Sequence, residues 1–134
     1  MFSIKGDIVL DPFVGTGTTT LAAIASERNS IGFEIDDSFK NSIKYKISNS
    51  KEPINGYIKQ RLDKHLSFVK EREYKGKLIK HKNEILNMPV ITSQETELKL
   101  NYVKKIDLLN ETEFLTEYSP QFPKAEKRLS TYIN

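Results

Sequence analysis

Short apolar runs flank an amphipathic segment near the start of the chain. Residues 8–10, Ile-Val-Leu, include two β-branched side chains, as is typical of a short buried strand. In residues 18–25 the apolar side chains recur three and four positions apart, which indicates a helix with one apolar face. Residues 31–35 form a second apolar run with an acid near its end. The order predicts a βαβ unit whose two strands are parallel neighbours.

A helical period continues after this unit. Asp36 or Asp37 can cap a helix whose apolar residues then step by four up to Ile47. Residues 48–53 are predicted to form a loop because they are polar and end in a proline. A longer helix is predicted from residue 53 or 54 to residue 73, where one apolar stripe follows the helical spacing.

The final third of the chain changes to a two-residue period. Residues 88–92 are a short strand candidate. Residues 97–106 and 113–118 alternate polar and apolar side chains on either side of a polar turn, so they predict an antiparallel hairpin. Residues 119–134 are predicted to be a loosely held tail.

The turn between the first strand and the first helix carries the candidate chemistry. Gly15 and Gly17 permit a tight bend and the close approach of a ligand, since neither has a Cβ. In an open α/β sheet, ligands bind beyond the carboxyl ends of the strands, where Asp11 and these glycines are expected. Glu34 follows Gly17 by 17 residues and is expected at the end of the neighbouring strand. A carboxylate there can accept hydrogen bonds from a ribose diol.

Two details argue against a dinucleotide or a nucleoside triphosphate. The third glycine of a dinucleotide fingerprint is replaced by Thr20, and no Gly-Lys-Ser/Thr follows the loop. Asp11 instead places an acid directly before the glycines, which repels phosphate and suits a cationic ligand. The sulfonium and α-amino groups of S-adenosylmethionine have that character. The plain alternative is a glycine turn that binds no ligand.

Composition limits the class of protein. The chain has 134 residues, enough for one small domain, and it contains no cysteine, which excludes disulfides and thiolate metal sites. No apolar run approaches membrane-spanning length and the N-terminus lacks a secretory pattern, so a cytoplasmic protein without a membrane partner is predicted. No metal is expected, because neither His65 nor His81 has partners at ligand spacing.

The net charge of +3 is unevenly distributed. Residues 70–82 contain six cations and two acids, so this segment is a candidate for contact with a DNA backbone. A solvated, lysine-rich helix end is the favoured interpretation, because acids are mixed among the cations.

The segments DPFVGTGTT and IGFEID resemble the cofactor-binding part of the DNA amino-methyltransferases, which methylate N4 of cytosine or N6 of adenine. The close resemblance covers about residues 5–47. It implies a partial Rossmann-like α/β fold, here with a C-terminal β-hairpin, and it implies S-adenosylmethionine as cofactor and DNA as partner. Carried over position by position, it implies these cofactor-binding residues: Asp11, Pro12, Phe13, Gly15, Thr16, Gly17, Thr18, Thr19, Glu34 and Ile35.

One family feature is absent from these residues. The catalytic Ser/Asn/Asp-Pro-Pro-aromatic segment does not occur, because no two of the five prolines are adjacent. The expectation is therefore that residues 1–118 are the C-terminal, cofactor-binding part of a methyltransferase without its own catalytic residues. A second chain is expected to carry the catalytic motif and target recognition. The alternatives are a non-catalytic module that binds cofactor or DNA, and a truncated gene product without independent activity.

Overall fold

A computed structural model describes residues 3–120 as a mixed α/β fold with three two-stranded sheets. Strands β1 and β2 form a parallel pair, and the other two sheets are antiparallel hairpins. In chain order the elements are β1 Ile8–Asp11, α1 Thr18–Ala25, β2 Asn29–Gly32, α2 Phe39–Ser48, α3 Lys51–Tyr74, β3 His81–Asn83, β4 Met88–Val90, a 3-10 turn Ser93–Glu95, β5 Tyr102–Leu108 and β6 Phe114–Ser119.

The N-terminal βαβ unit has the predicted order and a parallel strand pair. Its register pairs Ile8 with Asn29 and Asp11 with Gly32, with α1 connecting the strands. The bounds predicted for the second strand are wrong, because β2 ends at Gly32. Residues 33–35 leave the sheet instead, and the Phe33 carbonyl accepts the Val14 amide at 3.0 Å. The apolar run therefore ends as part of the loop structure beyond the strands.

The expectation that the first strand is buried is also wrong. Ile8 is 64% exposed and Leu10 is 63% exposed. Together with Ile31 and Phe33, which are also exposed, they form an apolar face. Within the described residues this sheet has only two strands. The elements packed against it do not cover both of its faces.

The hydrophobic core lies where the three helices meet β5. Its buried side chains come from α1, α2, α3 and β5, so the long helix and the C-terminal hairpin share one core with the βαβ unit. These residues are Ile24, Ile47, Ile54, Ile58, Tyr102 and Val103. Tyr118 on β6 adds a polar anchor, because its hydroxyl donates to the Ile24 carbonyl at 2.8 Å. Burial raises the pKa of this phenol to about 12.

The helix bounds differ from the expectation at one junction. The loop predicted over 48–53 is only two residues long, because α2 ends at Ser48 and α3 begins at Lys51. Pro53 is accommodated in the first turn of α3, where its missing N–H has no intrahelical acceptor to lose. Ser38 is the N-cap residue of α2, and Asp36 accepts the Ser38 amide at 2.9 Å without capping the helix directly.

The C-terminal hairpin is confirmed, with a later start. β5 begins at Tyr102, so residues 97–101 of the alternating pattern lie outside it. Ser119 pairs with Tyr102, which places the first residue of the predicted tail inside β6. The rest of that tail, residues 121–134, lies outside the described residues. None of the helices within residues 3–120 is long and apolar enough to cross a bilayer.

A buried amide fixes the hairpin to α3. The Asn55 side chain donates to the Val103 carbonyl at 2.9 Å and accepts the Val103 amide at 2.8 Å. Both residues are almost completely buried. The pairing of β5 with β6 is irregular between Val103 and Lys105, and Asn55 satisfies the backbone groups of Val103 at that irregularity.

Replacing Asn55 by Ala should therefore destabilise the fold. Two buried backbone groups of Val103 would lose their partners, at a cost of roughly 1–3 kcal/mol each before relaxation. Gln60→Ala, on an exposed part of the same helix, is the matched control and should change the free energy of unfolding by less than about 0.5 kcal/mol. Urea denaturation followed by circular dichroism gives both values. Equal stability of the two variants would contradict the role of Asn55.

Candidate functional site

The glycine loop connects β1 to α1 beyond the carboxyl ends of both parallel strands. Two backbone hydrogen bonds tie it to the chain after β2: Phe33 donates to the Asp11 carbonyl at 2.9 Å, and Val14 donates to the Phe33 carbonyl at 3.0 Å. The loop and the segment after β2 thus form one unit at the sheet edge. This is the location at which open α/β sheets bind ligands.

Glu34 lies beside the loop and bridges it to the start of the next turn. Its Oε2 accepts the Gly15 amide at 2.7 Å, and its Oε1 accepts the Asp36 amide at 2.9 Å. The sequence placed Glu34 at the end of the neighbouring strand; β2 ends at Gly32, and Glu34 lies two residues beyond it, in contact with Gly15. The tethering of the loop by this carboxylate was not predicted, because no sequence pattern indicates which backbone amide a distant carboxylate accepts.

Gly15 and Gly17 adopt backbone conformations that other residues rarely tolerate. Their φ angles are 52° and 81°, both in the left-handed region. Gly17 is the N-cap of α1 and makes no side-chain cap, so the first amides of the helix, at Thr18 and Thr19, point beyond the helix end without intrahelical acceptors. The loop therefore presents backbone donors next to an acidic residue.

Asp11 is a half-buried carboxylate at the end of β1. The Thr19 hydroxyl and, to a smaller extent, the Phe13 amide lower the pKa of the Asp11 carboxyl below its ordinary value. The Phe13 amide donates to Oδ1 at 3.0 Å. Asp11 is consequently ionised at neutral pH and can attract a cationic group.

The apolar residues proposed to line the site are open to solvent. Phe13 is 86% exposed and Ile35 is fully exposed, while Pro12, Thr16 and Thr18 are exposed as well. Among the described residues, two cavities of about 260 and 420 Å³ lie elsewhere, along α3 and the β3–β4 hairpin. The loop is thus a surface with positioned polar groups, and the described chain does not enclose it.

Gly32 is needed for a different reason from the loop glycines. A Cβ at this position would lie 2.2 Å from Cγ2 of Val14, which packs directly over the end of β2. The close packing of the loop on β2 therefore requires a residue without a side chain. The sequence motif contains this glycine, but its spacing alone did not reveal which side chain it makes room for.

The other candidate residues, in the segment 70–82 and at His65, do not form a second site in the described part of the chain. In the segment 70–82, Lys75 pairs with Glu71, and Lys82 pairs with Glu84 at 3.4 Å. His65 is half-buried, with Nε2 3.1 Å from the Pro89 carbonyl. Within residues 3–120, no group of three or more acidic or histidine side chains is arranged to hold a metal ion.

The described elements define a mixed α/β protein in which a glycine loop and a helix connect two parallel strands. Residues 1–45 match a family model described as DNA methylase. The chain is also similar to three type II methyltransferases. M.MthZI of Methanothermobacter thermautotrophicus is 37% identical over 128 residues, which is 96% of this chain and 35% of the relative.

The other two relatives match shorter stretches of the chain at higher identity. M.MjaI of Methanocaldococcus jannaschii is 68% identical over 47 residues, 35% of this chain and 16% of its own. M.BglI of Bacillus subtilis is 45% identical over 53 residues, 36% of this chain and 15% of its own. The chain belongs to the DNA amino-methyltransferase family. It spans about a third of the length of M.MthZI, and no solved structure matches it.

Gly32→Ala should loosen the loop. The added methyl forces Val14 away from the end of β2, so we expect a destabilisation of about 1–3 kcal/mol, the usual range for overpacking. Gly56→Ala is the matched control, because nothing lies within 4 Å of a Cβ there and α3 should gain about 0.5–1 kcal/mol. Thermal unfolding of both variants measures the difference. A Gly32→Ala protein as stable as Gly56→Ala would contradict the packing role.

Proposed function

We propose that this chain is the S-adenosylmethionine-binding part of a DNA methyltransferase that methylates N4 of cytosine or N6 of adenine. Membership of the DNA methyltransferase family implies a methyl-donor cofactor. The observation that carries the finer proposal is the constellation at the sheet edge. Asp11 and Glu34 flank a left-handed glycine loop at the ends of two parallel strands, and Glu34 contacts that loop directly.

The polar groups of the loop fit the methionine end of this cofactor. Asp11 supplies a carboxylate with a lowered pKa for the α-amino and sulfonium cations. The amides of Thr18 and Thr19 at the start of α1 supply donors for the α-carboxylate. Bound cofactor would supply the methyl group, and the residues of this chain would hold and orient it.

The nucleoside end is assigned to the segment after β2. Each Glu34 oxygen accepts one backbone amide, and a carboxylate oxygen can accept two hydrogen bonds, so both oxygens retain capacity for ribose hydroxyls. The exposed apolar side chains of Phe13 and Ile35 would contact the cofactor along its length. Pro12, Gly15, Thr16 and Gly17 complete the proposed set by shaping the loop.

Catalysis is assigned to a separate part of the enzyme. Methyl transfer to an exocyclic amine requires an extruded base whose amino group is held in line with the methyl donor. The family performs this with a Pro-Pro-aromatic segment, and no adjacent prolines occur among these 134 residues. The exposed apolar strand face around Ile8 and Leu10 suits packing by helices of that part, whose strands would extend the two-stranded sheet toward a Rossmann-like fold.

Two other functions compete with this one. A module that binds cofactor or DNA without catalysis would keep the loop geometry and would gain no activity from a complementing fragment. A truncated product without independent function would show neither cofactor binding nor complementation. The extent of the similarity to M.MthZI, across 96% of the chain, favours retention of more than the cofactor loop.

The first test of the proposal is cofactor binding. Titration calorimetry with S-adenosylhomocysteine, alone and with a fragment carrying the catalytic motif, should show that Glu34→Ala loses roughly 1–3 kcal/mol of binding free energy. Gly17→Val should bind still more weakly, since its φ of 81° is strained for a β-branched residue and Ile43 lies 3.6 Å from the Cβ position. Glu97→Ala, an exposed acid outside the loop, is the control and should bind as the wild type does.

Glu34→Ala could weaken binding either by releasing the glycine loop or by removing a contact to the ribose. A second ligand distinguishes these two effects. The 2′-deoxy analogue lacks a hydroxyl for Glu34, so Glu34→Ala should cost less with this analogue than with the parent ligand. Equal losses would assign Glu34 to the loop alone. Undetectable binding by the wild type, with and without the fragment, would contradict the proposed cofactor site.

The second test is methyl transfer by the chain alone. Tritiated-methyl incorporation into mixed-sequence duplex DNA should stay at background with this chain and should appear when the catalytic fragment is added. The reason is that the chain holds the methyl donor and lacks the residues that position the base. Incorporation by the chain alone would contradict the assignment of catalysis to another part. Background counts with both components would favour a non-catalytic module.

A further inference from the structure

One flank of α3, with its C-cap residue, carries aromatic and cationic side chains, two cations after each aromatic. They recur three and four positions apart, so they lie along a single side of the helix. This aromatic–basic strip consists of Tyr57, Arg61, Lys64, Phe68, Arg72 and Lys75. Tyr57 is 55% exposed and Phe68 is 48% exposed, although large aromatic side chains are more often buried.

The strip is distinct from the face by which α3 packs. Ile54, Ile58 and Val69 are buried, and Ile54 and Ile58 belong to the core that includes β5. The strip begins one position before Ile58 and follows the adjoining side of the helix, where Arg61 and Lys64 are exposed. The aromatic residues of the strip are therefore not needed to fill the core.

The arginines of the strip lie over its rings. The Arg61 guanidinium carbon is 5.9 Å from the centre of the Tyr57 ring, and that of Arg72 is 5.7 Å from the centre of the Phe68 ring. Such cation–π contacts restrict the long arginine side chains without neutralising them. The Arg61 guanidinium is consequently held in place on an exposed part of the helix, whereas Arg72 is half-buried and its Nε has no hydrogen-bond partner among the described residues.

The charge of the strip is largely uncompensated. Among the described residues, Arg61, Lys64 and Arg72 form no ion pair with a carboxylate, whereas Lys75 pairs with Glu71. In the lysine-rich segment 70–82, Lys82 likewise has an acidic neighbour, Glu84. Arg61 and Lys64 therefore present positive charge without an acidic partner, N-terminal to the lysine-rich segment 70–82 that the sequence indicated.

We propose that the aromatic–basic strip of α3 contacts the sugar–phosphate backbone of duplex DNA. This inference rests on the proposed function, which makes duplex DNA the substrate. Arg61 and Lys75 are 14 residues apart, about 21 Å along the helix axis. That distance corresponds to roughly six phosphates of one strand at 3.4 Å per phosphate. The guanidinium fork matches phosphate oxygens in a bidentate arrangement, which an ammonium group cannot reproduce.

The ring contacts favour backbone binding over stacking on bases. A guanidinium group of the strip lies within cation–π distance of each ring, 5.9 Å from the centre of Tyr57 and 5.7 Å from the centre of Phe68, so it competes with a base for that ring face. Proteins that stack on single strands need open aromatic faces for successive bases. The rings of the strip act instead as supports for the arginines, as expected for contact with phosphates.

The test uses the full chain and a fluorescent 30-base-pair duplex of mixed sequence, followed by anisotropy over a range of salt concentrations. Arg61→Ala/Lys64→Ala should lower the slope of log affinity against log salt by about 1.8, because each lost phosphate contact contributes about 0.9. Lys46→Ala/Lys70→Ala removes the same charge from exposed positions outside the strip and should leave the slope within error of the wild type. Circular dichroism confirms that both variants are folded.

Substitutions at Tyr57 test whether its ring supports Arg61, or whether the positive charge of the strip alone accounts for DNA binding. Tyr57→Ala keeps every cation but removes the ring under Arg61, so affinity for the duplex should fall about 2- to 5-fold. Tyr57→Phe keeps the ring and should bind as the wild type does. A loss with Tyr57→Phe as large as with Tyr57→Ala would overturn the support role.

Three outcomes would overturn the assignment to duplex DNA. The first is an equal salt slope for the strip and control variants. The second is tighter binding of the matching single strand than of the duplex. The third is a loss of poly-glutamate binding in the strip variant that equals its loss of duplex binding. The last two outcomes would indicate base stacking and an acidic protein partner, respectively. The binding of S-adenosylhomocysteine should be unchanged in the strip variant, so failure of this proposal is distinguishable from failure of the cofactor site.

Discussion

The Glu34 carboxylate accepts one backbone amide from the glycine loop and another from the turn that begins α2. Because Gly15 belongs to the loop after β1 and Asp36 follows β2, this side chain fixes the ends of both parallel strands relative to each other. The short distances leave the loop little freedom to move away from the sheet edge. The geometry of the candidate site therefore depends on the same residue that is proposed to bind the ribose.

The rest of the described chain is attached to this unit through a shared core and one buried amide. Asn55 satisfies both backbone groups of Val103, while Tyr118 donates to the last turn of α1. These contacts lie far apart in sequence, so they place α3 and the hairpin firmly against the βαβ unit. A rigid α3 in turn gives its exposed flank a defined position, which a surface that binds DNA requires.

The exposed strands and the exposed strip differ in chemistry, and this difference separates their proposed partners. Ile8 and Leu10 present apolar side chains on a two-stranded sheet, a surface suited to further protein. Arg61 and Lys64 present charge on a helix, a surface suited to a polyanion. In the proposed enzyme, the strand face would join the catalytic part and the exposed flank of α3 would contact DNA.

The βαβ unit, the glycine loop and the C-terminal hairpin could be predicted from the sequence alone, because they depend on local periodicity and on backbone conformations that glycine permits. The tertiary structure decided the end of β2, where Phe33 leaves the sheet to bond the loop, and the exposure of Ile8, since burial depends on which elements pack nearby. It also decided the partners of Asn55 and the pairing of Arg61 with Tyr57. Hydrogen-bond partners and packing between distant segments have no period along the chain, so only the folded arrangement specifies them.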